Sequence, residues 1–544
     1  MKDETMNGRG SSRRTFLKGV AIGSASIALG GIQPGQVFAV PQDRRYLSVS
    51  PSEMNSLDPA DHMDVGRSPG RINFFDGLMR WRDNPPKLYP WIAESYEGTA
   101  DCKNWKFRIR KGVKFHDGSD VTADDVIQSV ERLLALGTGA GGVLKPLVPP
   151  GTTKAPDKYT VEFRLKRGFA PFPGLTHFLN IVNMRVLKRY EKEGDWGNKW
   201  LAKYGSALGK DGVGTGSYTL EKFDPGWGFD AVKYENHFSP WDRPHFEKFG
   251  FRTVHEVATR VLGLMNGDYH GEIGYLPYEQ IQKVQESPNI RIYTERSTRL
   301  FYAHFNNQME PTNDIHFRKA MCYAFDYDGW IHKMQHDMVE PVNGPIPANM
   351  WGSLDPKEKT FKYDLDMAKK ELALAKVNWK KYQPIAQMIF LGYPMPNEAA
   401  LLLQNGLTQI GIQSKVDPKT FPQATALNMN MKTSPPITWT WQSTYYPDPQ
   451  NWARLVGSAE WGTSAGISFY KNEKVDELLG KADAILKQEE RAKLYREAMK
   501  IAIAEAPALY VHNEKWRGTV NKEVKGVRFC PVGDINEVRW MYWG

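Results

Sequence analysis

The chain has 544 residues, 41% of them hydrophobic and 12% aromatic, and a formal net charge of +9. That much apolar side chain excludes a disordered protein, and the length allows two to four domains of about 100–200 residues each. Acidic and basic residues are interspersed along the chain rather than gathered into a stripe, so no nucleic-acid partner is expected.

The N-terminus carries the most specific local signal. Ser12-Arg13-Arg14-Thr15-Phe16-Leu17-Lys18 precedes a mildly apolar stretch from Gly19 to Ile32, and then Val37-Phe38-Ala39. A basic region, a short apolar region and small residues before a cut make an export signal. The arginine pair with Phe16-Leu17-Lys18 behind it has the form of a twin-arginine address; the alternative is a chance pair ahead of an ordinary secretory signal. The apolar stretch is shorter than the ~20 residues a spanning helix needs, and no later segment comes closer. Residues 1–39 are therefore expected to be a signal peptide, and the rest a periplasmic protein. Cys102, Cys322 and Cys530 lie far apart. They form no metal-binding pattern, and the choice between one disulfide and buried free thiols stays open.

Residues 44–82 alternate apolar runs with turn signals such as Ser56-Leu57-Asp58-Pro59, a strand-and-loop texture. In Trp105-Lys106-Phe107-Arg108-Ile109-Arg110, alternation predicts a strand burying Trp105, Phe107 and Ile109. Its basic side, with Lys103, Lys106 and Arg108, reads as a solvated face. Thr122 followed by Asp125 predicts a capping box, and Val126, Val130, Leu133 and Leu134 continue the helix face. The Gly/Pro-rich stretch 137–151 predicts an exposed loop, and Thr160 to Leu165 a second alternating strand. Gly212-Val213-Gly214-Thr215-Gly216 is followed by a strand pattern, so the helix N-terminus that would hold a phosphate is missing and a structural turn is expected. His116-Asp117-Gly118 reads as a turn rather than a catalytic pair. From about residue 303 the texture turns helical. Phe317, Ala320, Met321, Ala324 and Phe325 make one stripe. Asp364 opens a second helix, and others are expected through Val475–Ala482 and from Arg491 to about Ala506, the last ending at Pro507. Strands at 385–391 and 437–441 alternate with them, which implies an α/β sheet with helices on its faces.

No G-x-S-x-G, H-E-x-x-H, P-loop, metal-ligand cluster or dinucleotide fingerprint occurs. No catalytic residue, metal or cofactor is therefore expected, and the chain reads as a binder and not an enzyme. Residues 438–452 put five aromatics into a strand end and a Pro-rich loop, the place where α/β proteins position ligands. Flat aromatic side chains there would wall a pocket at little entropic cost.

Several of these segments together resemble the large solute-binding proteins of the peptide/nickel/opine class, extracellular solute-binding protein family 5. They are Asp76-Gly77-Leu78, Pro90 to Tyr96, Trp105 to Gly118 with Thr122 to Val126, Gly214-Thr215-Gly216-Ser217-Tyr218 (Ser217 standing where the family has proline), Phe317-Arg318-Lys319-Ala320 with Ala324-Phe325-Asp326, and Gln409 to Ile412. The resemblance implies a two-lobed periplasmic-binding-protein fold of the α/β class with an extra domain inserted in lobe one. Lobe one would comprise 44–82, 214–302 and 513–544, the insertion 83–213 and lobe two 303–512. It also implies a monomeric receptor that closes on a small ligand and delivers it to an ABC transporter membrane permease. The rival readings are a twin-arginine-exported enzyme and a ligand sensor or folding helper.

The candidate ligand-binding set is Trp439, Trp441, Gln442, Thr444, Tyr445, Asp448 and Asn306. Peptide-binding members carry an aspartate four residues before the proline of the turn, and it pairs with the ligand's ammonium group. Here that position is Tyr445, or Thr444 after a one-residue slip, and neither supplies a negative charge. Asp448 sits on the turn itself and is expected to order the loop. Stacking and neutral hydrogen bonding are therefore expected, suited to an oligosaccharide or a derivatised amino compound, with peptide and opine-like ligands as alternatives.

Intact-mass measurement of protein from a periplasmic fraction is expected to show loss of about 39 residues. Export is expected to fail when Arg13→Lys and Arg14→Lys are combined; normal export of that double variant would remove the twin-arginine assignment.

Overall fold

The computed structural model describes residues 45–61, 63, 68–204, 211–273, 276–533 and 537–544; the leader lies outside them. Two long strands organise the rest. Ile290–Phe305 and Ala508–Asn521 pair antiparallel from Ile290↔Asn521 to His304↔Ala508. Their outer halves carry different partners. Leu300 to Phe305 pairs with Ile437–Gln442, which leads on to Ile385–Phe390 and Ser414–Lys419. The other end of Ala508–Asn521 pairs with Gly271–Glu272, then Arg45–Ser50, Lys248–Thr253, Gly228–Lys233 and Tyr218–Asp224. The fold is thus two-lobed and α/β, with one sheet running through both lobes.

At the crossing the register slips. Arg296 lies opposite Lys515 and Leu300 opposite Asn513, so residues 297–299 face the single Glu514. Extra residues on one strand bend it and raise its twist, which places the joint between the lobes here.

A separate four-stranded sheet, Ala93–Gly98, Asn104–Ile109, Thr160–Arg164 and Lys154–Asp157, stands beside lobe one. The expected alternation holds in its second strand, where Trp105, Phe107 and Ile109 are buried. Each such side chain contributes about 1.5–3 kcal/mol on leaving water. Lys106 on the opposite side reaches Glu97 and Glu162 in exposed ion pairs, a solvated face. Helix Ala123–Leu136 starts with the capping box of Thr122 and Asp125 and ends at Gly137 in the left-handed region. The stretch 137–151 departs from the sequence expectation. It holds a short helix, Ala140–Leu144, and buries Leu144, Leu147 and Val148, because its few apolar side chains outweigh the Gly and Pro turn signals around them.

Asp314, Asp364 and Asn472 cap the helices Ile315–Tyr323, Leu365–Leu374 and Glu473–Asp483 with side-chain hydrogen bonds. The stripe Phe317, Ala320, Met321, Ala324 and Phe325 is fully buried in the largest core, together with Trp330, Trp439 and Trp452. All three cysteines are buried, and none forms a disulfide. No described helix is long and apolar enough to cross a membrane.

A polar seam joins lobe one to the four-stranded unit. Asp76, wholly buried, accepts from Arg80 at 2.9 Å and Trp91 at 2.6 Å, and its second oxygen meets His237 Nε2 at 3.3 Å. Burial works against the charge, but the His237 ring, Arg80 and Trp91 together hold the carboxyl down to about 2. Its backbone N–H donates to Thr215 Oγ1 at 3.0 Å, within the glycine-rich turn. The His116 backbone N–H donates to Gly214 O and the His116 Nε2 lies 2.8 Å from Gly216 O, so both sequence turns are structural. A Cβ on Gly77 would lie 2.5 Å from His177 O, and one on Gly216 only 2.3 Å from Asn73 O.

Gly216→Ala is expected to destabilise the protein by about 1–3 kcal/mol, since backbone must move to admit the methyl group. Gly480, inside helix Glu473–Asp483, has open space around a built Cβ, and Gly480→Ala is expected to raise stability by up to about 1 kcal/mol. Urea melts of both variants check the pair; equal effects would refute this account of the seam.

Candidate functional site

A cleft of about 480 Å³ lies where the two strands cross between the lobes. Lobe one supplies Ile273, the start of helix Tyr278–Gln285, and Trp516 and Arg517. Lobe two supplies Lys333 to His336, the start of helix Pro394–Gln409, and Trp441, Ser443 and Thr444 at the end of strand Ile437–Gln442. Ser297, Arg299 and Glu514 of the joint form its floor. The bulge thus puts Ser297 and Arg299, with Glu514 opposite them, where a ligand of either lobe would meet them.

Its chemistry is aromatic and charged. Trp441 packs on Phe301 (5.4 Å between ring centroids) and Tyr393 (5.6 Å), with the Arg299 guanidinium 5.1 Å from its ring. Arg299 Nη1 donates to Glu514 at 3.2 Å. Trp516 stacks on Phe529 at 4.7 Å. The buried Nε1 atoms of Trp441 and Trp516 and the Nε of Arg517 have no hydrogen-bond partner, leaving three N–H donors unused around the cleft. Burial lowers the Arg517 pKa below its ordinary value, against the pull of Glu514 and Glu272.

Contacts also cross from one side to the other. Tyr278 of lobe one stacks on His336 of lobe two, 4.0 Å and 14° apart, and Lys515 Nζ donates to Asp337 O at 2.8 Å. Arg167, beside the four-stranded unit, bonds Asp483 of lobe two at 2.6 Å. Asp483 in turn accepts from Tyr495, which Arg491 also contacts.

The sequence-derived set divides. Trp441 and Thr444 line the cleft. The Thr444 and Thr298 hydroxyls are 2.6 Å apart, pinning the loop to the hinge strand. Gln442 is buried and donates to Ser443 O. Tyr445 is half-buried against Phe178, and its N–H reaches Asn451 Oδ1 at 3.3 Å. Asp448 holds Arg491 through two bonds of 2.7 and 2.8 Å and accepts from the Gln450 N–H, the loop-ordering role expected of it. Trp439 is fully enclosed in the core and donates to Gln387 Oε1 at 3.0 Å. Asn306 donates to Met431 O and Ser434 O. These last two are away from the cleft. Trp439 and Trp441, two residues apart, share one face of the strand and both pack on Phe301; Trp439 lies further from the strand end, inside the core, and only Trp441 reaches the cleft. The sequence reading missed Tyr278, Glu279, His336, Glu398, Trp516 and Arg517, which reach the cleft from separate segments and share no local pattern. Among the described residues no group of three His, Cys, Asp or Glu side chains could hold a metal.

The bacterial extracellular solute-binding proteins, family 5 (middle region), match residues 87–464. The chain belongs to this family. Among relatives of this family-5 protein, a probable D,D-dipeptide-binding periplasmic protein of Escherichia coli K12 is 28% identical over 91% of this chain and 93% of its own length. Heme-binding protein A of Haemophilus influenzae is 25% identical over 84% and 85%. Among solved structures, a dipeptide-binding protein from Pseudoalteromonas sp. SM9913 with Met-Leu superposes with a TM-score of 0.80 at 16% identity, covering 92% of this chain and all of that one. A binding protein from A. tumefaciens R10 in complex with agropinic acid gives 0.78 at 20% identity, covering 92% and 99%. These two share the two-lobed fold.

Burial raises the Asp483 carboxyl from 3.8 to about 6, against the charge and hydrogen bond of Arg167. Between those values the folded protein keeps a proton that the unfolded chain releases, so this stabilisation is complete below about pH 4 and lost as pH rises through 6. Asp483→Asn, which cannot ionise, is expected to gain about 3 kcal/mol relative to the unsubstituted protein between pH 4 and pH 7. Urea melts of both proteins at the two pH values measure that double difference; no change in it would show that Arg167 neutralises the buried charge.

Proposed function

We propose that this family-5 protein is the monomeric periplasmic receptor of an ABC importer, exported on its twin-arginine leader and performing no catalysis of its own. It captures a small ligand between its lobes and presents the closed form to the membrane permease, with residues 83–213 as the inserted domain of lobe one. The observation that carries this reading is the aromatic and charged cleft at the strand crossing, lined from both lobes and floored by the bulge. A ligand bound there touches both lobes at once, and only a ligand that prefers the closed state drives closure.

The amine anchor of peptide-binding members has no carboxylate here. Tyr445, or Thr444 after a one-residue slip, stands in its place, and Asp448 is committed to Arg491. Trp441 and Thr444 are the wall residues retained from the sequence-derived set. Relatives named for a dipeptide and for heme, and fold neighbours holding Met-Leu and agropinic acid, support a peptide or opine-like compound, while an oligosaccharide is supported only by the stacking surface of Trp441.

Mass spectrometry of compounds that co-purify with the protein is expected to return one unaltered small molecule. Adding it back to stripped protein is expected to reduce the radius of gyration in small-angle scattering. Trp441→Ala is expected to weaken its binding at least tenfold. Asp448→Asn is expected to act on stability instead, costing about 3–5 kcal/mol by leaving a buried Arg491 unpaired. A chemically altered product would overturn the non-catalytic reading, and binding lost through Asp448→Asn with unchanged stability would move the ligand site to Asp448.

A further inference from the structure

Two carboxylates reach the cleft from opposite lobes. Glu279 begins helix Tyr278–Gln285 of lobe one, and Glu398 lies one turn into helix Pro394–Gln409 of lobe two. Both line the cavity. Neither carries a hydrogen bond or ion pair among the described residues, whereas Glu514, the cleft's other acid, is joined to Arg299. Half-burial and the charge of Glu279 hold the Glu398 carboxyl above its ordinary range. An empty cleft therefore leaves the half-buried Glu398 under the like charge of the exposed Glu279, an arrangement that opposes closure.

Resting on the receptor reading above, we propose that the ligand is a small cationic compound, an ammonium or guanidinium, whose charged nitrogen is clamped between Glu279 and Glu398. The cation turns the repulsion between the lobes into two attractions, one to each lobe, so it favours the closed state by the differential contact that closure requires. The surrounding rings of Trp441 and Tyr393 add cation–π surface.

A second, independent feature defines the rest of the molecule. Trp516 is only 6% exposed and lines the same cavity, yet its Nε1 has no acceptor. The indole of Trp441 and the Nε of Arg517 are in the same condition. Buried donors left unpaired cost about 1–3 kcal/mol each, and all three ask for oxygen. The ligand class is accordingly a cation that also carries carbonyl or carboxylate oxygens, and the acid pair replaces the amine anchor that Tyr445 does not provide.

Calorimetry and small-angle scattering on the stripped full chain test this with defined probes. The set comprises mixed di- and tripeptides, the same mixture N-acetylated, agmatine, and maltotriose as a neutral control. Free-amine or guanidinium probes are expected to bind and compact the protein, and N-acetylation to weaken binding at least tenfold. Glu398→Gln and Glu279→Gln are each expected to weaken cation binding at least tenfold while thermal melts stay within a few degrees of the unsubstituted protein. Compaction by maltotriose or the acetylated mixture, undiminished in Glu398→Gln, would overturn the clamp and leave the receptor reading standing. Cation binding untouched by either substitution would overturn the clamp as well. Failure of every probe, with no compound co-purifying, would overturn both readings.

Discussion

Everything in this molecule hangs on one pair of strands. Ile290–Phe305 and Ala508–Asn521 belong to both lobes, and where the lobes change over the register slips twice, at residues 297–299 against Glu514 and again between Phe301 and Tyr302. Backbone hydrogen bonds on either side keep each half-sheet rigid, so bending is confined to the few residues without ladder partners. The same residues floor the cleft. Joint and binding surface are therefore one structure, and whatever a ligand does to Ser297, Arg299 or Glu514 is felt directly as a change in the angle between the lobes.

Lobe one in turn depends on the buried seam around Asp76. Its carboxylate unites Arg80, Trp91 and His237, while its N–H holds the turn containing Thr215. Segments about 140 and 160 residues apart in sequence thus meet at one charge. Breaking a buried ion pair by removing one partner costs about 3–5 kcal/mol, which makes this seam, with the buried Arg132–Asp58 pair, a strong tie between the four-stranded unit and its lobe. The close glycine contacts there belong to the same constraint, because backbone must reach backbone for the hydrogen bonds to form.

How much of this was legible in the sequence depended on whether the signal was local. Alternation from Trp105 to Ile109, the Thr122–Asp125 capping box and the stripe from Phe317 to Phe325 are all set by neighbours within a few residues, and each appears where expected. Stretch 137–151 misled because Gly and Pro were weighed above Leu144, Leu147 and Val148, whose burial decides its path. The cleft was legible only in part. Trp441 and Thr444 sit on the strand end and loop that aromatic content singled out. Glu279, Glu398 and Trp516 become neighbours only after long-range pairing has brought three segments together, and no spacing rule could have joined them.

The three thiols have a consequence of their own. Cys102, Cys322 and Cys530 are each buried and unbridged, and burial pushes the Cys322 thiol up to about 12, so it carries almost no reactive thiolate near neutrality. No covalent cross-link ties the two lobes or closes a loop, and cohesion rests on packing and buried ion pairs alone. Such a chain can complete its fold in a reducing compartment and keep it unchanged in an oxidising one, needing neither a thiol oxidant nor a disulfide isomerase on the way.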